Sequence, residues 1–91
     1  MKKKPLISIV MNCHNGEKFL KESLISIVNQ KFKNWELIFW DNQSTDNSQN
    51  IFLSFKDSRF KYFRSKKFTN LYTARNLAIR KTKGKIITFL D

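Results

Sequence analysis

Residues 35–41, WELIFWD, are apolar at five of seven positions and stop on a carboxylate, Asp41. A run with so little alternation suits a strand covered on both faces, and such strands belong to parallel sheets. A parallel neighbour can be reached only by a long crossover, usually a helix. The rest of the chain supplies such crossovers. Residues 6–11 read as a strand. Residues 17–30 read as a helix with Phe19, Leu20, Leu24, Ile27 and Val28 on one face. Residues 45–55 read as a shorter helix, with Ser44 as N-cap and Asp46 in the first turn, where a negative charge suits the helix dipole. Residues 59–64, RFKYFR, alternate as a strand with one wet face does. Residues 71–83 read as a helix stopped by Gly84, with Arg80, Lys81 and Lys83 suited to its C-terminal end, and residues 85–90, KIITFL, as a last apolar strand.

The predicted order is β-α-β-α-β-α-β, a Rossmann-like α/β sheet with strand order 3-2-1-4. Right-handed crossovers leave few other arrangements. In such sheets ligands bind beyond the carboxyl ends of the strands, near the switch point. Three segments fall there: Asn12-Cys13-His14-Asn15-Gly16, then Asp41-Asn42, then Asp91. A carboxylate at a strand tip is held rigidly and accepts hydrogen bonds from a base or ribose. Asp is also an ordinary turn residue. The first turn has one glycine, Gly16, and the chain's other glycine is Gly84, so the glycine-rich turn of a dinucleotide site and the phosphate loop are both missing. Cys13 and His14 have no second ligand cluster at metal spacing.

Length and charge narrow the field further. Ninety-one residues make one small domain. A single cysteine, Cys13, excludes an internal disulfide and points to a reducing compartment. No apolar run reaches membrane-spanning length, and neither a signal peptide nor an anchor is expected. The net charge is +11, which favours anionic partners. The lysines are scattered along the sequence, which equally fits a solvated basic surface. The Lys2-Lys3-Lys4 run reads as a solvated tail.

The stretch LISIVMNCHNGEKFLKESLISIVNQKFKNWELIFWDNQSTDNS resembles the start of a family 2 glycosyltransferase of the GT-A fold. Ala74-Arg75-Asn76 followed by KGKIITFLD resembles that family's third block, so the likeness runs over residues 5–91 with its segments in order. It implies the N-terminal half of a GT-A domain over residues 1–91, cut at the fourth strand. It also implies binding of a nucleotide-diphospho-sugar, often a UDP-sugar, for transfer to a glycan or lipid-linked acceptor. The family's first loop usually reads Pro-Thr-Tyr-Asn and cradles the base. Here it is Asn12-Cys13-His14-Asn15, with His14 at the aromatic position. Asp41, followed by Asn42, matches the acid that bonds the base. Arg75 and Asn76 match a recurring pair. Asp91 matches the first acid of the Asp-x-Asp motif, beside the ribose and a Mn²⁺ or Mg²⁺ ion. The motif's other acid and the half carrying the catalytic base do not follow within these residues, so no catalytic residue and no stable metal site are expected here. The implied setting is bacterial envelope polysaccharide synthesis in the cytoplasm, at the inner membrane face. Two other functions compete with this one: a basic nucleic-acid-binding module, and a non-catalytic α/β half-domain that dimerises through its exposed sheet edge.

Overall fold

The computed structural model describes residues 4–90. Seven elements alternate: β1 (Ile7–Cys13), α1 (Glu17–Asn29), β2 (Trp35–Asp41), α2 (Ser48–Leu53), β3 (Phe60–Arg64), α3 (Leu71–Ile79) and β4 (Ile86–Leu90). The sheet is parallel throughout, in the order β3-β2-β1-β4. This is the expected fold class and strand order.

All seven residues of β2 are buried, because the strand is central and covered on both sides. One face of the sheet carries Ile9, Met11, Leu37 and Phe39, packed against Leu20, Leu24 and Ile27 of α1 and Phe52 of α2. Phe39 stacks on Phe52 with ring centroids 4.2 Å apart, and Phe52 stacks in turn on Phe60 at 5.2 Å. The opposite face carries Val10, Ile38 and Trp40 beneath Ala74 and Ala78 of α3. Two small residues let α3 lie close on the sheet, where larger ones would hold it off.

Several sequence expectations need correction. Phe19 is 71% exposed, one position outside the stripe that α1 buries. α2 starts at Ser48 rather than 45, because Ser44, Asp46 and Ser48 turn toward the loop after β1. α3 ends at Ile79, so Arg80, Lys81 and Lys83 lie beyond its last turn. β4 is exposed along its whole length, although its sequence suggested burial, because α3 packs on β1 and β2.

A buried polar pin closes the lower end of the sheet. The Ser8 hydroxyl donates to a Glu36 carboxylate oxygen at 2.7 Å, and the same oxygen accepts the Lys83 N–H at 2.6 Å. The Gly84 N–H donates to the Ser8 hydroxyl at 2.8 Å. Burial of Glu36 is offset by these bonds, since a buried carboxylate without donors is costly. The pin fixes the α3–β4 turn against β1 and β2.

Candidate functional site

The carboxyl ends of β1 and β2 lie side by side, with Cys13 opposite Asp41. Three loops leave this end, at residues 14–16, 42–47 and 65–70. Their neighbouring side chains line an open cavity of about 210 Å³. Asn12, Cys13, His14 and Asn42 line it from the first two strands, and Phe68, Thr69, Asn70 and Leu71 line it from the third loop and the start of α3.

The loops are tied together by side chains that would otherwise be turn formers. Asn15 adopts a left-handed backbone, φ 55°, which Asn tolerates better than most residues. Its Oδ1 accepts the Thr45 and Asp46 N–H groups at 2.7 and 3.2 Å. The Ser44 hydroxyl accepts the Asn15 N–H, the Ser48 hydroxyl accepts the Gly16 N–H, and Asp46 accepts the Glu17 N–H. The first amides of α1 are therefore capped from the loop after β2 rather than by a residue of their own. Burial pushes the Asp46 carboxyl upward, but donors from Ser48 and Glu17 outweigh it and hold the group below its ordinary range.

Asn42 fastens the third loop. Its Nδ2 donates to the Thr69 carbonyl at 2.7 Å and its Oδ1 accepts the Thr69 N–H at 3.0 Å. The Asn70 Oδ1 then accepts the Thr73 N–H and caps α3. His14 stands at the cavity mouth. Its Nδ1 lies 2.7 Å from the Asn42 carbonyl, which can only accept, so Nδ1 carries the proton. The His14 ring meets Phe68 edge-on, with centroids 4.8 Å apart and planes at 64°. Phe68 is 60% exposed, and the two rings form an open aromatic wall.

Asp41 lies at the strand tip where the sequence placed it, and its carboxylate is fully buried. One oxygen accepts the Ser44 N–H at 2.8 Å. The other accepts the Tyr62 hydroxyl and the Arg64 Nη1, the latter at 3.0 Å. Burial first, and then the bond to Asp41, push the Tyr62 phenol up to about 12. Asn12 is different: both polar atoms of its carboxamide are buried with no hydrogen-bond partner. Cys13 is buried, and its Sγ accepts a weak 3.9 Å contact from the Ser44 hydroxyl. Arg75 lies apart from the cavity lining, with its guanidinium carbon 5.3 Å from the centre of the Phe89 ring on β4. Asp91 lies outside the described residues.

The structure thus brings Asn12, Cys13, His14 and Asn42 to one cavity, uses Asn15 to join two loops, and buries Asp41 beneath them. Phe68, Thr69, Asn70 and Leu71 were not singled out from sequence. The signal available was Phe68 itself, an aromatic residue in the otherwise polar run SKKFTN after a strand. Among the described residues no group of three His, Cys, Asp or Glu side chains could hold a metal ion. Asp91, the metal ligand that the family resemblance implies, lies outside those residues. Among the described residues no helix is long and apolar enough to cross a membrane.

The model of the family described as "Glycosyl transferase family 2" matches residues 8–91, nearly the whole chain. The chain belongs to glycosyl transferase family 2. The family 2 assignment agrees with individual relatives. The chain is 37% identical over 86 residues to an Escherichia coli UDP-Glc:alpha-D-GlcNAc-diphosphoundecaprenol beta-1,3-glucosyltransferase, WfgD, covering 94% of this chain and 34% of that protein. It is 42% identical over 89 residues to an uncharacterized glycosyltransferase of Haemophilus influenzae, covering 96% of this chain and 36% of the relative. The crystal structure of S. aureus TarS 1-349 in complex with UDP superimposes with a TM-score of 0.87 at 25% identity, over 93% of this chain and 26% of that 1-349 chain. The chain therefore spans about a third of the length of these curated family 2 relatives. Its four-stranded sheet corresponds to the Rossmann-like part of a GT-A glycosyltransferase.

Proposed function

We propose that the chain binds the nucleotide of a nucleotide-diphospho-sugar, a UDP-sugar, and serves as the donor-binding half of a longer glycosyltransferase. The observation that carries this reading is the cavity at the tips of β1 and β2, with an aromatic wall of His14 and Phe68 and, in its lining, Asn12, whose carboxamide atoms have no hydrogen-bond partner. A planar base suits such a slot, because rings stack on the wall while amides donate and accept at its edge. The UDP complex of TarS and the UDP-glucose named for the E. coli relative support uracil as the base. Asn12, Cys13, His14, Asn15, Asp41, Asn42, Arg75 and Asp91 make up the proposed nucleotide site, with Phe68 added. Asn15, Asp41 and Asn42 act mainly by holding the loops.

The acceptor proposed is a glycan or lipid-linked sugar, in line with the diphosphoundecaprenol acceptor named for the relative. The location proposed is the cytoplasm, at the inner membrane face. Mn²⁺ or Mg²⁺ would balance the diphosphate charge in the longer enzyme, with Asp91 as one ligand. Isothermal calorimetry with UDP tests the reading. His14→Ala and Phe68→Ala should each weaken UDP about tenfold, the loss of one stacking contact. Variants that bind UDP as tightly as the parent chain would refute it. The purified 91 residues should transfer no sugar.

A second reading concerns association. β4 is an edge strand whose Ile86, Ile87, Phe89 and Leu90 are all exposed. Such an edge pairs readily with another strand. We propose that two copies join through β4. Light scattering should show a dimer that Phe89→Lys returns to monomer, and a parent chain that stays monomeric at high concentration would exclude it.

A further inference from the structure

The cations look scattered along the chain, but the topology gathers them. In a parallel sheet every helix-to-strand turn returns to the end where strands begin. Those turns and the segment before β1 cover residues 4–6, 30–34, 54–59 and 80–85. The first holds Lys4 and the second Lys31 and Lys33. The third holds Lys56 and Arg59, and the fourth Arg80, Lys81, Lys83 and Lys85. The one acid among them, Asp57, is paired with Arg59 at 2.7 Å. The loops at the opposite end carry only Lys66 and Lys67, against Asp46.

Apolar side chains stand exposed between these cations. Phe32 is 45% exposed between Lys31 and Lys33 in the α1–β2 turn. Leu6, 36% exposed, follows Lys4 and Pro5, and Ile86, 52% exposed, follows Lys85. An open cleft of about 630 Å³ runs from this end along the β2–β3 face, with Trp35, Ile38 and Phe63 on its wall, Lys33, Lys81 and Lys83 around it and the Glu36 carboxylate also in its lining. Cations interleaved with exposed apolar groups fit a surface that offers phosphates above an apolar layer. A nucleic acid would engage the cations and leave Phe32 and Leu6 without an apolar partner.

We propose that this end of the sheet docks on an anionic phospholipid bilayer. The lysines meet headgroup phosphates, and Phe32 and Leu6 enter the boundary between headgroups and acyl chains. This builds on the membrane-face location proposed above and gives it a surface, a lipid charge and an orientation. The loops carrying His14 and Phe68 then face away from the bilayer, so this orientation calls for an acceptor that stands clear of the surface, such as the far end of a glycan.

Sedimentation with vesicles tests it. The chain should bind phosphatidylcholine vesicles containing phosphatidylglycerol and leave pure phosphatidylcholine vesicles in the supernatant. Lys31→Glu with Lys33→Glu should lower the partition coefficient about tenfold or more. Phe32→Ser should lower it severalfold, and Lys66→Glu with Lys67→Glu, the same charge change at the opposite end, should lower it less than about twofold. All five side chains are exposed, and circular dichroism checks that each variant folds. Equal losses from the two charge-reversal pairs would reduce the effect to net charge and overturn the proposal. So would failure to bind the anionic vesicles, or retention on oligonucleotides alone with Phe32→Ser silent. UDP calorimetry on the same samples keeps the two readings apart. Vesicle binding without UDP binding would sink the nucleotide reading alone, and UDP binding without vesicle binding would sink only the docking surface.

Discussion

Gly84→Ala should destabilise this chain far more than the other exchange of a glycine for alanine, Gly16→Ala. A Cβ at position 84 would lie 2.7 Å from both the backbone nitrogen and the hydroxyl of Ser8, and 2.9 Å from the Ile7 carbonyl carbon. Two of those atoms are main chain in the central strand β1, so they cannot rotate away. The requirement is for space: no glycine here has a positive φ. Relief would have to come from moving the α3–β4 turn outward. That breaks the Gly84–Ser8 bond, loosens the Lys83–Glu36 bond beside it, and leaves the Glu36 carboxylate short of a donor in a buried position. The expected cost is about 3 kcal/mol, against a total stability of about 5–10 kcal/mol for a domain of this size. In a thermal melt this corresponds to a drop of about 15 °C. Gly16→Ala is the control, since its added methyl meets only the Cys13 sulfur at 3.1 Å. A Gly84→Ala melt that coincides with the control would show the turn to be looser than its contacts imply.

Asp41→Asn should damage the fold and the proposed site together. The parent carboxylate faces three donors: the Ser44 N–H, the Tyr62 hydroxyl and the Arg64 guanidinium. A carboxamide offers one accepting oxygen and turns a donor toward the remaining partners. Tyr62 can answer by rotating its hydroxyl, and Arg64, which is exposed, can move into water. The Ser44 N–H, on a buried residue, has no such escape. A loss of about 2 kcal/mol follows for one disrupted buried network. The loop of residues 42–47 hangs from that bond, so UDP affinity should fall about tenfold at a temperature where both proteins are folded. Unchanged affinity with a lowered melting point would leave Asp41 as scaffold and remove it from the proposed nucleotide site.

The same variant has a pH signature. Tyr62 is raised to about 12 from a usual value near 10 by burial and by its bond to Asp41. A raised pKa means the folded state keeps the proton that the unfolded state gives up. The associated stability is therefore complete below about pH 10 and is lost as pH climbs from there through about 12. In ultraviolet titration the Tyr62 phenolate should appear late in the parent chain and earlier in Asp41→Asn.

Much of the fold was legible in the sequence because the physics was local. The apolar run of β2 forces double-sided cover, and helical spacing at Leu20, Leu24 and Ile27 names the buried stripe of α1. What failed to read were features decided at a distance. Phe19 has the right residue type but the wrong angle around the helix. Ser44 looks like a cap for the next helix, yet it serves the loop after β1, some thirty residues back, and Asp46 serves both, accepting the N–H groups of Ser48 in α2 and of Glu17. β4 is apolar enough to be covered, but cover depends on where α3 lies. The site followed the same division. Strand-tip reasoning placed Asn12, His14 and Asn42 at the cavity, but the partnership of Asn42 with Thr69 depends on the path of a loop that no pattern specifies. The lysines gave the sharpest contrast, since their spacing in the sequence concealed their convergence at one end of the sheet.

The loops at 14–16 and 42–47 carry a lesson for protein engineering. Asn15 grips Thr45 and Asp46, while Ser44, Asp46 and Ser48 grip back, so neither loop has a settled shape without the other. They are one mechanical part made in two pieces. Transplanting either piece alone into a homologous enzyme would deliver half a clasp, whereas exchanging both as a cassette carries the clasp intact.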